Sequence, residues 1–178
     1  MLYKYDEYIK KNNLMIKDSS DSDSIYKIEK GVYSDKQYVP ESLVIAFKYP
    51  NAVFTLDNAI YHYDLTDTVP DKYYLMTDKD SSKISDSRVI QLFDNNNQLK
   101  LGAERVVVDD GSLLMYNKER LLVEVIRYRF RLSEEYYKEV INNYRSIIHK
   151  LNIQLLEEYI EKLPKSSLVK ETIKKEVL

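Results

Sequence analysis

The chain has 178 residues, 44% of them hydrophobic, with 27 basic and 29 acidic side chains and a net charge of −2. That is enough for one real core with a small appendage, and the near-balance of charge excludes a global electrostatic pull toward nucleic acid or membrane. Any nucleic-acid contact is therefore a local patch. Cysteine is absent and glycine occurs three times, which excludes disulfide scaffolds, thiolate chemistry and a glycine-rich phosphate loop. The stretch Met1 to Asn13 is too charged for a signal peptide, and no apolar run approaches the ~20 residues of a membrane span. A cytoplasmic protein is expected.

In chain order, Leu2 to Lys11 reads as a short amphipathic helix, with Leu2, Tyr5 and Ile9 on one face. The run Asp18 to Ser24 alternates serine and aspartate and reads as a solvated loop. It lacks the glycine and closing glutamate of a calcium loop. Ile25 to Val39 alternates as a hairpin does, with a turn at Glu29-Lys30-Gly31 or at Ser34-Asp35.

The densest stretch is Glu41 to Thr77. A helix over Leu43, Val44, Ala46 and Phe47 has to stop at Tyr49-Pro50, since proline disfavours helix at the residue before it. Val53-Phe54-Thr55 then reads as a short buried strand, and Asp57 as the N-cap of a second helix through Ala59, Ile60 and Tyr63. Strands are expected at Lys72 to Thr77, Arg88 to Phe93, Leu99 to Val108 and Leu113 to Tyr116, separated by turns at Asn95-Asn96-Asn97 and Asp109-Asp110-Gly111. The short connections predict a largely antiparallel sheet.

From Asn117 the chain is helical. Asn117 caps a helix bearing Leu121, Leu122, Val125 and Ile126. Ser133 opens a second, with Tyr137, Val140, Ile141, Tyr144 and Ile148 inward, and a third covers Ile153 to Leu163 before Pro164. A last short helix follows Ser166.

His62 and His149 are isolated, Asp109-Asp110 reads as a turn, and no Asp-x-Lys or Glu-x-Lys falls between Tyr73 and Asp110. No metal, cofactor or catalytic set is therefore expected. The charged constellation that stands out is Arg120, Glu124, Arg127 and Arg131, spaced to share one helix stripe, with Arg129 nearby and Tyr128 and Phe130 interleaved. Two readings stay open: a clamp that grips phosphates or a partner surface, or an ion-pair ladder on a solvated face. Lys27 and Lys30 on the hairpin form a second candidate phosphate contact.

Several stretches, taken in order, resemble the AbiEi family of antitoxins from type IV toxin–antitoxin pairs. They are YKIEKGVYS (Tyr26 to Ser34), the KYP-A-VF entry at Lys48 to Phe54, AIYHYDLTD and VPDKYYL up to Leu75, and MYNKERLLVEVIR (Met115 to Arg127). The resemblance implies that the hairpin is the wing of a winged helix, that an N-terminal segment binds the promoter, and that the C-terminal domain neutralises a nucleotidyltransferase toxin. Asn12 to Ile25 departs from the family, since it is too short and too rich in serine and aspartate for a recognition helix.

The expected fold class is α+β: a degenerate winged-helix-like segment over residues 1–39, then an AbiEi-like domain over 40–178 with a small sheet and a C-terminal helical bundle. The expected function is a non-enzymatic antitoxin and transcriptional regulator. The alternative is a mobile-element inhibitor, anti-CRISPR-like, that binds a host defence nuclease or its RNA. The expected partner is a protein, toxin or nuclease, with DNA or RNA as a second ligand and no membrane. The partner-binding residues expected are Arg120, Arg127, Arg129, Arg131, Tyr128, Lys27 and Lys30.

Overall fold

The structure, a computed structural model, describes residues 1–4 and 25–178. These form two small sheets and six α-helices, an α+β arrangement as expected. The chain divides into two compact units, Met1–Pro50 with Val107–Leu113, and Asn51–Val106 with Leu114–Leu178.

In the first unit, β1 (Leu2–Lys4), β2 (Tyr26–Glu29) and β3 (Val32–Ser34) pair antiparallel in the order β1-β3-β2. The hairpin turns at Lys30-Gly31, where Gly31 takes φ +82°, a left-handed angle that glycine adopts without a Cβ clash. The helix expected from Leu2 is not what forms there. Leu2–Lys4 is a strand whose backbone pairs with β3, and so short a helix is marginal without packing. The rest of that segment, the acidic serine run and nearly all of the expected recognition-helix gap fall in residues 5–24, outside the described residues. Helix α1 (Glu41–Lys48) starts after Pro40 and ends at Tyr49, before Pro50.

The second unit holds most of a five-stranded sheet. Its strands are β4 (Val53–Phe54), β5 (Tyr73–Asp78), β6 (Val89–Asp94), β7 (Ala103–Val108) and β8 (Gly111–Tyr116), in the order β6-β5-β4-β8-β7. The sheet is mixed, not largely antiparallel. β5 and β6 run parallel from Tyr73↔Val89 to Asp78↔Asp94, β4 and β8 are parallel, and β4 and β5 are antiparallel. Residues 79–88 look like a hairpin loop in sequence but carry the chain back to start β6 beside the start of β5. Side chains hold that return: Arg88 Nε and Nη2 donate to the Asp86 carboxylate at 2.9 and 2.6 Å, and Gln91 bonds Ser82 O, Ile84 N and Thr77 Oγ1.

Between β4 and β5 lies α2 (Asp57–His62). Its cap position is Leu56, not Asp57, and Leu56 is fully buried at φ +43°, ψ −127°. Few non-glycine residues occupy that region, and the left-handed side of the map costs about 1–2 kcal/mol. Asp57 instead places its charge in the first turn. Asn58 locks the corner, accepting from Tyr74 N at 2.7 Å and donating to Lys72 O at 3.2 Å.

The C-terminal half is α3 (Lys118–Arg127), α4 (Glu134–Ile147), α5 (Ile153–Lys162) and α6 (Ser166–Thr172), the last running into a π-type turn at Ile173–Val177. Asn117, Ser133 and Asn152 cap α3, α4 and α5 by accepting the N–H of Arg120, Tyr136 and Leu155. α3 packs on α5 and α6, while α4 meets the π-type turn. Leu121, Leu122, Val125, Tyr137, Val140, Tyr144, Leu156 and Ile160 are buried in this bundle. Each contributes about 1.5–3 kcal/mol through removal of apolar surface from water.

Candidate functional site

The arginines singled out in the sequence separate into an interior set and a surface set. Arg120 and Glu124 are both fully buried, and Arg120 Nε donates to Glu124 Oε1 at 2.7 Å. Arg127 Nη1 donates to the same oxygen at 2.7 Å with its side chain only 10% exposed. The chain wraps Arg120 further: its Nη1 donates to Gln98 O and Leu101 O at 3.1 and 3.0 Å, and its guanidinium lies 4.4 Å from the centre of the Tyr116 ring. Burial, with Glu124 as a further cause, holds the Tyr116 hydroxyl far above the ordinary range. This nest is neither a clamp nor a solvated ladder. Arg120 is inaccessible to any partner.

The surface set begins where α3 ends. Tyr128 N donates to Glu124 O as the last helical bond, and Arg129–Arg131 then tightens into a 3₁₀ turn, so Arg131 leaves the stripe that Arg120 and Glu124 define. Leu132 is extended and Ser133 starts α4, which forces the turn. In the resulting elbow Arg129, Phe130 and Arg131 are exposed and Tyr128 is half-buried. Phe130 is 72% exposed, an unusual position for a large apolar ring. Its ring lies 5.5 Å from the Arg131 guanidinium and 5.5 Å from Lys165 Nζ.

Arg129 is anchored, lying over the Tyr137 ring at 4.3 Å and donating to Glu176 Oε1 at 3.2 Å, while Tyr137 donates to Glu176 Oε2 at 2.8 Å. Lys165 Nζ donates to Arg127 O at 2.9 Å. Neither Lys165 nor Arg131 has a carboxylate partner among the described residues. Beside Phe130 runs a groove of about 540 Å³ whose wall includes Ile126, Leu132, Leu168, Arg129 and Lys165. Sequence reasoning missed Lys165 and Glu176. Lys165 follows Pro164 at φ +64°, a chain reversal with no periodic pattern to point at the elbow. Lys27 and Lys30 are exposed on the β2–β3 hairpin, in the other unit.

A second polar cluster, also missed, sits at the β4–α2 corner. Thr55 Oγ1 and Asp57 Oδ1 are buried without a hydrogen-bond partner among the described residues, on either side of the left-handed Leu56. Burial, with the Asp71 charge adding to it, pushes the Asp57 carboxyl up to about 6. Burial and the Asp57 charge also raise the neighbouring Tyr74 and Tyr136 hydroxyls. Among the described residues no group of three or more His, Cys, Asp or Glu is placed to hold a metal ion, and no helix is long and apolar enough to cross a membrane. Comparison of the chain with known protein families and with curated proteins finds no match.

Proposed function

We propose that the chain is a non-enzymatic antitoxin of the AbiEi type that neutralises a nucleotidyltransferase toxin by direct protein contact at the Arg129-Phe130-Arg131 elbow. The observation that carries this reading is Phe130: a largely exposed ring, fixed at a helix end and flanked by arginines, has the composition of an interface hot spot. The ordered resemblance at Tyr26 to Ser34, Lys48 to Leu75 and Met115 to Arg127 supports the assignment to a toxin–antitoxin pair. Under this reading Lys27 and Lys30 touch promoter phosphates, which gives weak, salt-sensitive binding with little sequence preference.

Growth rescue tests it. The chain is expressed with the nucleotidyltransferase encoded beside its own gene, as wild type and as Phe130→Ser with Arg131→Glu. Wild type restores growth, and the double variant fails while melting within about 1 °C of wild type, as expected of exposed positions. Rescue by the folded double variant, or the lack of a neighbouring nucleotidyltransferase gene, overturns the reading.

A further inference from the structure

The elbow also defines the chemistry of what it accepts, an inference that rests on reading it as a partner contact. The Phe130 ring lies 5.5 Å from both Arg131 and Lys165, two cations of this region with no carboxylate partner among the described residues. The other two arginines are ion-paired, Arg129 with Glu176 and Arg127 with the Glu124 carboxylate that it shares with Arg120. Glu134, the one carboxylate on the groove wall, is tied to Lys138 at 2.6 Å. Among the described residues, positive charge without a carboxylate partner therefore lies on the groove wall at Lys165 and, next to the Phe130 ring, at Arg131.

Part of the wall is aliphatic. Ile126 and Leu132 line it with Leu168, which is 51% exposed although it is a leucine on a short helix in contact with α3. The space of about 540 Å³ is in the range of pockets that enclose a ligand group.

We propose that the groove beside Phe130 takes an acidic segment of the partner protein carrying an aliphatic anchor. The anchor packs against Leu132, Leu168 and the Phe130 ring, and flanking carboxylates pair with Arg131 and Lys165. Electrostatic complementarity then sets orientation and association rate, and the buried anchor sets dwell time. Glu176 holds two residues of the wall, Arg129 and Tyr137, so that Arg129 stays in place when the segment arrives.

The test uses the full chain and three synthetic peptides followed by fluorescence anisotropy. One alternates leucine with glutamate, one replaces its leucines by serine, and one replaces its glutamates by lysine. A single-stranded oligouridylate is the nucleic-acid arm. The proteins are wild type, Phe130→Ser, Arg131→Glu and Lys165→Asn, the last chosen because asparagine tolerates the left-handed angle at that position. The leucine–glutamate peptide is expected to bind wild type at least tenfold tighter than the serine or lysine peptides, and each variant is expected to lose at least fivefold.

Equal binding of the leucine and serine peptides, binding unchanged in all three variants, no binding by any peptide, or tighter binding by oligouridylate each overturns the proposal. The growth-rescue assay separates the two readings. Rescue lost on Phe130→Ser together with indiscriminate peptide binding removes the acidic-segment chemistry and leaves the elbow as the contact. Selective peptide binding together with rescue by Phe130→Ser keeps the groove chemistry and removes the antitoxin reading of the elbow.

Discussion

Arg120 and Arg131 stand at opposite ends of one arginine-rich stretch and meet opposite fates. At the start of α3, Arg120 is enclosed by Tyr116, Glu124 and the carbonyls of Gln98 and Leu101, and Gly102 comes so close that an added Cβ would lie 2.6 Å from Arg120 Cβ. Past its end, Arg131 is exposed beside the rings of Tyr128 and Phe130. Residue type and spacing are alike at the two places. What differs is the chain segment that comes to lie on top, and this decides whether an arginine organises the interior or faces a partner.

The largest effect is expected at Glu124. Glu124→Ala leaves the Arg120 and Arg127 charges buried without their counter-ion, and removal of one partner from a buried pair typically costs about 3–5 kcal/mol. Urea unfolding is expected to show a loss of unfolding free energy of that size. A loss under about 1 kcal/mol would mean that water reaches the nest. Next comes Gly102→Ala. It forces a side chain to φ +72° and into Arg120 Cβ and the Asn117 side chain, for about 2–4 kcal/mol in the same measurement.

Asp57→Asn acts in the other direction, since the β4–α2 corner holds a largely buried carboxylate with no counter-ion among the described residues. The folded-state pKa of about 6 lies above the unfolded value, so the folded state binds the extra proton between about pH 4 and 6. Wild-type stability therefore falls as pH rises through that window and then levels off. The variant should match wild type near pH 3.5 and exceed it by about 1–3 kcal/mol at pH 7.5. A gain that does not grow with pH would locate the cost in shape and not in charge. The smallest effect belongs to Arg131→Glu, expected to change stability by no more than about 0.5 kcal/mol in thermal melts, as at exposed positions generally.

Much of the frame was legible because local rules fixed it. Pro50 ends α1, Asn117 and Ser133 open α3 and α4, and Gly31 turns the hairpin, each through chemistry contained in a few neighbouring residues. The misreadings arose where distant chain decides. Leu2–Lys4 has its conformation from β3, and the direction of β6 is set by how Asp86, Arg88 and Gln91 fasten the preceding loop, which composition does not encode. At the site, the spacing of Arg120, Glu124 and Arg127 correctly implied one stripe. Its burial depended on Gln98 to Gly102, where a strand was expected from Leu99 but the chain turns and the strand begins only at Ala103. Lys165 was invisible for the same reason, being brought to Phe130 by the reversal after Pro164.

The central position of β4 has a consequence for synthesis on the ribosome. β4 meets its antiparallel neighbour β5 soon after both have been made, but its other neighbour pairs through Phe54 and Met115, so a long stretch of chain must emerge before that edge is covered. Until then one side of an apolar strand has no hydrogen-bonding partner, a state open to pairing with other nascent chains. Loop closure over that separation precedes any gain from the parallel contact, which places completion of the sheet late and makes it the slow step of folding. Stalled chains ending before Met115 should then be protease-sensitive at Val53–Phe54, and chains a few tens of residues longer should be protected there.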